Sequence, residues 1–197
     1  MQIAGIEIRT ELMLMTGEVY VHYGSTRFDP SRMTSLDKLD ADDVGAATKP
    51  PHYSAIWGSP VSGERSWKHW NEVTRFSKCD EDNSFQFKIS DMYKILIVDS
   101  HSSAISLVEN YCKLYRGFTD LYGFGIDTVK QQCVDYINST DAISGHCIPA
   151  LDFLKMSADG YSGMEISITK FPKLYWLLYS WDCDSIVVWN PDAIIQV

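Results

Sequence analysis

The chain has 197 residues, of which 45% are hydrophobic, 13% aromatic and 22% charged, and its formal net charge is −9. This length and composition predict one globular domain over residues 1–197 that buries a sizeable core without staples. The acidic balance disfavours nucleic-acid binding by charge, and the lack of a run of about 18 apolar residues argues against a membrane span.

The five cysteines are widely spread and form no C-x-x-C pair. This arrangement argues against a disulfide framework and against a zinc site, and it favours reduced thiols. Residues 1–7 lack the basic and apolar regions of a signal peptide. We therefore expect a cytoplasmic protein without membrane association.

The first predicted element is an apolar strand beginning at Val19, which leads His22 into a Gly-Ser turn. A long connection follows over residues 29–52, and it is either functional or simply solvated. A short strand around Trp57 precedes a helix that starts near residue 63. Apolar residues at three- and four-residue spacing predict that this helix packs one face inward. That face consists of Trp67, Trp70, Val73 or Thr74, and Phe76 or Ser77.

The central part of the chain predicts a turn over 79–84 and two strands over 85–89 and 93–98. Asp99 or Ser100 can cap the next helix, which we place over 102–115. The buried face of that helix is predicted to comprise Ile105, Val108, Tyr111 and Cys112. Glycines interrupt the segment 116–148, so it resembles an insertion, although its residues 126–137 look helical.

The last third predicts a short helix over 151–156, a strand over 161–169, an aromatic helix over 171–179 and a final strand over 181–189. Strands and helices are mixed without regular βαβ alternation. The predicted class is therefore α+β, with a mixed, mostly antiparallel sheet and peripheral helices.

Three segments could together carry chemistry. His22 leaves a strand just before Gly24, where the missing Cβ lets a ligand approach the backbone. Trp57 and Trp67 could sandwich a flat heterocycle, whereas simple packing is the preferred interpretation of Trp70. Glu165 lies in mid-strand, opposite an apolar face, and points either to solvent or into a cleft.

This order of residues resembles the ADP-ribosyltransferase superfamily, in particular its diphtheria-toxin-like and poly-ADP-ribose-polymerase-like branch with a His-aromatic-Glu triad. The resemblance implies a split, mostly antiparallel sheet and NAD as substrate, with no metal. ADP-ribose would move to a protein or other macromolecular acceptor, with a protein favoured over nucleic acid, and nicotinamide would be released.

The resemblance also assigns roles along the chain. His22 would bind the adenosine ribose, and the backbone of Tyr23 or Gly24 the nicotinamide carboxamide, with Ser25 completing the His-x-Gly-Ser pattern. Trp57 and Trp67 stand where tyrosines usually flank the nicotinamide ring. Ser59 would be the serine near the end of the second strand, and Glu165 the catalytic carboxylate. Gly163 departs from the pattern of arginine-modifying toxins, which puts arginine as the acceptor in doubt.

Other interpretations remain open. The same fold could serve as a non-catalytic module that binds a nucleotide or a protein partner, for example in a bacterial or phage effector. Asp182 and Asp184 lie two apart on the predicted last strand and could bind Mg²⁺. Cys147 beside His146 is a weaker candidate for a nucleophilic dyad, because dyads are assembled in space rather than from sequence neighbours.

Overall fold

The structure is a computed structural model that describes residues 18–38, 48–50, 52–61, 63–76, 79–114, 125–140, 148–179 and 181–197. The strands are β1 (Tyr20–Tyr23), β2 (Ile56–Pro60), β3 (Ser84–Ile89), β4 (Lys94–Val98), β5 (Cys112–Lys113), β6 (Ala150–Leu151), β7 (Tyr161–Ile166), β8 (Ser185–Val188) and β9 (Ile194–Gln196). The helices are α1 (Trp67–Thr74), α2 (His101–Tyr111), α3 (Ile126–Asn138), α4 (Phe153–Ala158) and α5 (Leu174–Leu177).

Seven of the strands form one sheet in the order β4-β7-β8-β2-β1-β3-β9, and β5 pairs with β6 in a separate ribbon. The β4–β7 pair is parallel, whereas the other pairs in the sheet are antiparallel. The class is therefore α+β, as predicted, with a mixed and mostly antiparallel sheet. In the described part of the chain, no helix has the length and apolar character needed to cross a membrane.

The two faces of the sheet bury different cores. Met164, Ile166 and Val187 point to the face covered by α2, α3 and α4, where the larger core forms. The opposite face carries Tyr20, Phe85, Phe87, Ile186, Val188 and Ala193. Because side chains alternate along each strand, the register of the sheet decides to which of these two faces every candidate site residue belongs.

Several predicted elements are confirmed. The two central strands lie where the sequence predicted them, and Ser100 caps α2 with a complete capping box. Val108 and Tyr111 are buried on the face expected for this helix, but the helix ends at Tyr111 rather than at residue 115, and the buried Cys112 belongs to β5. The predicted helix over 126–137 is α3. It is not peripheral, because Val129, Cys133, Tyr136 and Ile137 are buried in the larger core.

Other predictions of element bounds were wrong. The helix placed near residue 63 begins at Trp67 because Ser66 caps it. Its buried residue is Asn71, whereas Val73 and Phe76, expected to face inward, are 68% and 70% exposed.

In the last third, the predicted strand 181–189 shortens to β8, and it is not the final strand. A short turn follows it, and β9 then pairs with β3. The helix placed over 151–156 begins only at Phe153, because Asp152 caps α4 and β6 precedes it. The aromatic helix placed over 171–179 is the single turn α5.

Candidate functional site

A cavity of about 270 Å³ opens at the end of the sheet where β1 and β2 stop pairing. We call it the cleft. It is lined by five of the residues predicted from the sequence, namely His22, Tyr23, Trp57, Ser59 and Trp67. It is also lined by Lys49, Trp181, Asp182 and Cys183. Residues from five separate segments of the chain therefore converge on one concave surface.

His22 marks the point where the two strands separate. Their pairing ends with Val21 opposite Ser59, and the Nδ1 atom of His22 lies 2.7 Å from the carbonyl oxygen of Trp57. Because a carbonyl can only accept, Nδ1–H donates this hydrogen bond and Nε2 is left as an acceptor in the neutral ring. Burial lowers the pKa of His22, although the Trp57 carbonyl opposes this shift, so the neutral form is favoured. The cleft therefore offers a fixed acceptor to a ligand hydroxyl.

Gly24 follows β1 with φ +116°, a conformation that favours glycine. Its backbone N–H donates to the carbonyl of Asn83 at 2.8 Å, so this group is already paired within the protein. Ser25 lies outside the cleft, and its Oγ donates to the carbonyl of Arg27 at 3.1 Å. The structure thus does not bring Gly24 or Ser25 into the lining of the cleft, although the sequence predicted both to contact the ligand.

Each of the two predicted stacking rings is held by a further ring. The centroid of Trp57 lies 4.7 Å from that of Trp181, with an interplanar angle of 57°. Trp67 stacks on Trp70 at 5.1 Å and 17°. Trp70 was predicted to pack its helix onto the sheet, and its ring contacts are with Trp67 and Phe76. The two cleft-lining indoles have defined orientations without a ligand, which lowers the entropic cost of stacking a planar group between them.

Ser59 connects three parts of the site. Its Oγ accepts a hydrogen bond from the backbone N–H of Trp67 at 2.7 Å and donates to the carbonyl of Asp184 at 3.1 Å. The side chain is buried. Both roles of the hydroxyl are thus taken by protein groups. Ser59 holds the start of α1, and with it the ring of Trp67, against the sheet.

Glu165 does not line the cleft, and it lies on the face of the sheet opposite to Trp57, the face to which His22 also belongs. It pairs with Ile186, which pairs in turn with Gly58, so these three residues share a face with Tyr20. The hydroxyl of Tyr20 donates to the Glu165 carboxylate at 2.9 Å. Burial raises the pKa of Glu165, and the Tyr20 hydrogen bond opposes this shift. The alternation predicted along this strand is present, but the structure does not bring Glu165 together with Trp57 and Trp67.

Sequence reasoning missed two charged or ionisable groups of the cleft. Lys49 comes from the long connection, and its Nζ lies 5.0 Å from the centroid of the Trp57 ring. Burial lowers the pKa of Lys49, while the nearby Asp182 opposes that shift. Cys183 is buried, which raises its thiol pKa to about 11 and makes it a poor nucleophile. A half-buried lysine directly before two prolines carries no recognisable signal in a single sequence.

Of the two alternative sites predicted from the sequence, the structure describes the aspartate pair. The Asp184 carboxylate accepts hydrogen bonds from Thr169 N–H at 2.9 Å and from Ser167 Oγ at 3.2 Å. These contacts join the segment that precedes β8 to the segment that follows β7. Within the described ranges, no group of three His, Cys, Asp or Glu side chains could hold a metal ion. Cys147 and His146 lie outside the described residues.

The site thus combines a neutral histidine acceptor, two braced indoles, an ammonium group and an aspartate around one cavity. Comparison with known proteins adds nothing to this geometry: no family model, no curated protein and no solved structure matches the chain.

Proposed function

We propose that the protein binds NAD in the cleft and transfers ADP-ribose from it to a macromolecular acceptor, releasing nicotinamide. The observation that carries this proposal is the convergence of His22, Trp57 and Trp67 on one cavity of about 270 Å³. Two indoles suit a planar heterocycle, and the free Nε2 of a neutral imidazole suits a ribose hydroxyl. NAD carries both groups in one molecule.

The chemistry requires more than binding. Breaking the bond between nicotinamide and ribose leaves positive charge on the sugar, in a state like the oxocarbenium ion of glycoside hydrolysis. A carboxylate held close to the sugar would stabilise that charge. A site enclosed by aromatic rings would exclude water and strengthen the electrostatic interaction.

A protein acceptor fits the charge of the chain better than a nucleic acid. The net charge is −9, and a negative surface repels a phosphate backbone at long range. An acceptor surface with basic character would instead be attracted to it.

The position of Glu165 favours a second candidate function. The carboxylate that the family resemblance assigns to catalysis accepts a hydrogen bond from Tyr20 and does not line the cleft. If no other group replaces it, the cleft would serve as a non-catalytic module that binds a nucleotide.

Nicotinamide release and NAD binding, measured on the same preparation, separate the two functions. We expect the purified protein to release nicotinamide from NAD, slowly alone and faster with a cell lysate that supplies the acceptor. We also expect saturating NAD to quench tryptophan fluorescence, since Trp57 and Trp67 line the cleft. Binding without release in any lysate would favour the binding module, and an unchanged spectrum would contradict NAD binding altogether.

Matched tryptophan variants localise the effect. Trp57→Ala should weaken NAD binding by about tenfold, which corresponds to about 1.4 kcal/mol of lost stacking and contact. Trp176→Ala serves as the control, because this residue is 45% exposed on α5 and does not line the cleft. Equal affinities for the two variants would place the binding site elsewhere.

A further inference from the structure

We propose that Asp182 is the catalytic carboxylate of the cleft, the group that stabilises positive charge on the ribose. This inference rests on the proposed transferase function. It assigns the reaction to a residue that the sequence singled out only as one half of a metal pair.

Asp182 lies where the positive charge would develop. Asp182 lines the cleft beside Trp181, and its chain segment leads into β8, the strand next to β2. In the described part of the chain, no other carboxylate lines this cavity. Glu165 does not line the cavity, and its carboxylate accepts a hydrogen bond from Tyr20. Of the two carboxylates, Asp182 is therefore the one that borders the space in which the charge would develop.

The backbone on both sides of Asp182 is held in place. Trp181 is 1% exposed, and its indole Nε1–H donates to the carbonyl of Thr48 at 3.0 Å. On the other side, the backbone N–H of Asp184 donates to the carbonyl of Arg65 at 2.9 Å. Both neighbours of the Asp182-Cys183 dipeptide are thus fixed to other segments. Electrostatic stabilisation of a transition state depends on charges held in place before the reaction.

The neighbouring carboxylates already accept hydrogen bonds from the protein. The Asp184 carboxylate is used by Thr169 and Ser167, and the Glu165 carboxylate by Tyr20. No hydrogen bond or ion pair within the described ranges involves the carboxylate of Asp182. No described group thus takes its oxygens by a hydrogen bond, although its charge acts on the Lys49 ammonium.

The cleft already holds a cation. The Lys49 ammonium lies over the ring of Trp57, 5.0 Å from its centroid, in a half-buried position. The electron-rich face of an indole attracts a positive charge, and the Asp182 carboxylate adds to this attraction. The indole face and the Asp182 carboxylate would also attract a ribosyl cation formed in the same cavity, whereas the Lys49 ammonium would repel it.

The step balances as follows. The bond from C1′ of the ribose to the pyridinium nitrogen of NAD breaks, and its electron pair leaves with neutral nicotinamide. The cationic C1′ forms beside Asp182, and a nucleophilic oxygen or nitrogen of the acceptor then bonds to it. The acceptor gives up one proton to water. When water itself is the acceptor, the products are ADP-ribose, nicotinamide and a proton.

Nicotinamide release by Asp182→Asn, Glu165→Gln and the control Asp135→Asn tests the assignment. Asp135 lies exposed on α3, so its variant controls for the loss of one surface charge. We expect Asp182→Asn to lower the rate of release by about 100-fold or more, as removal of a preorganised electrostatic group does. Its affinity for NAD and its thermal midpoint should stay near those of Asp135→Asn, which a merely structural role would not allow. Asp182→Glu should restore part of the rate.

The outcomes distinguish this inference from the proposed function. Full activity in Asp182→Asn together with loss in Glu165→Gln overturns the role of Asp182 and leaves the transferase standing. Binding of NAD by the wild-type protein without release in any lysate overturns the transferase and this inference together. Loss of release in Asp182→Asn accompanied by loss of NAD binding assigns the residue to binding and overturns the catalytic role.

Discussion

Ser59→Ala tests whether the hydroxyl of Ser59 holds the cleft together. The substitution removes two hydrogen bonds, one from the N–H of Trp67 and one to the carbonyl of Asp184, in a side chain that is 2% exposed. Each intramolecular hydrogen bond contributes about 0.5–1.5 kcal/mol to stability, so the free energy of unfolding should fall by about 1–3 kcal/mol. For a chain of this length, the thermal midpoint should drop by roughly 2–12 °C.

Thermal unfolding of Ser59→Ala and Ser25→Ala, followed by circular dichroism, measures this difference. Ser25 is only half-buried and makes one local hydrogen bond to Arg27, so its variant should unfold within about 0.5 kcal/mol of the wild type. Ser59→Ala should also weaken the fluorescence response to NAD, because the start of α1 is released from the sheet. Equal midpoints for the two variants would refute the scaffold role of Ser59.

Three further outcomes are expected. Gly58→Ala should destabilise the fold by about 1–3 kcal/mol in denaturant unfolding, because a Cβ there would lie 2.6 Å from the buried ring of Phe87. Glu165→Gln keeps an oxygen that accepts the hydrogen bond of Tyr20 and removes the ionisable carboxyl group. Since burial raises the pKa of Glu165, this group stabilises the wild-type fold at low pH and loses that contribution as the pH rises. In urea unfolding, the free energy of unfolding of Glu165→Gln relative to the wild type should therefore be higher at pH 7.5 than at pH 4.5. NAD affinity by calorimetry should fall when the pH drops below the ordinary range of histidine, because protonation turns the Nε2 acceptor of His22 into a donor.

Much of the fold follows from local sequence signals. The continuous apolar run before Val98 and the Ser100 cap are both short-range features, and the elements they predict are present. The final strand β9 was missed because its three residues carry little signal of their own, and its pairing with β3 comes from across the fold. The inward face predicted for α1 was wrong, because the helix buries Asn71 and leaves Val73 and Phe76 exposed.

Only part of the candidate site could be predicted from local sequence signals. Alternation along each strand correctly separated Glu165 from the apolar face of its own strand, and the same rule grouped His22 with Tyr20. What alternation cannot give is the register between strands. The pairing of Glu165 with Ile186, and of Ile186 with Gly58, is a long-range property that puts this carboxylate behind the sheet from Trp57.

The same register that removes Glu165 from the cleft brings Asp182 to it. β8 lies between β2 and β7, so the segment that enters β8 ends beside the residues of β2 that line the cavity. Glu165 is one strand farther away and does not line the cavity. The family resemblance matches carboxylates by their type and their order in one sequence, and for that reason it assigned catalysis to the late glutamate. Charge stabilisation depends instead on the distance between the charges. Because Asp182 borders the cavity and Glu165 does not, the aspartate before β8 is the better placed carboxylate of the described chain.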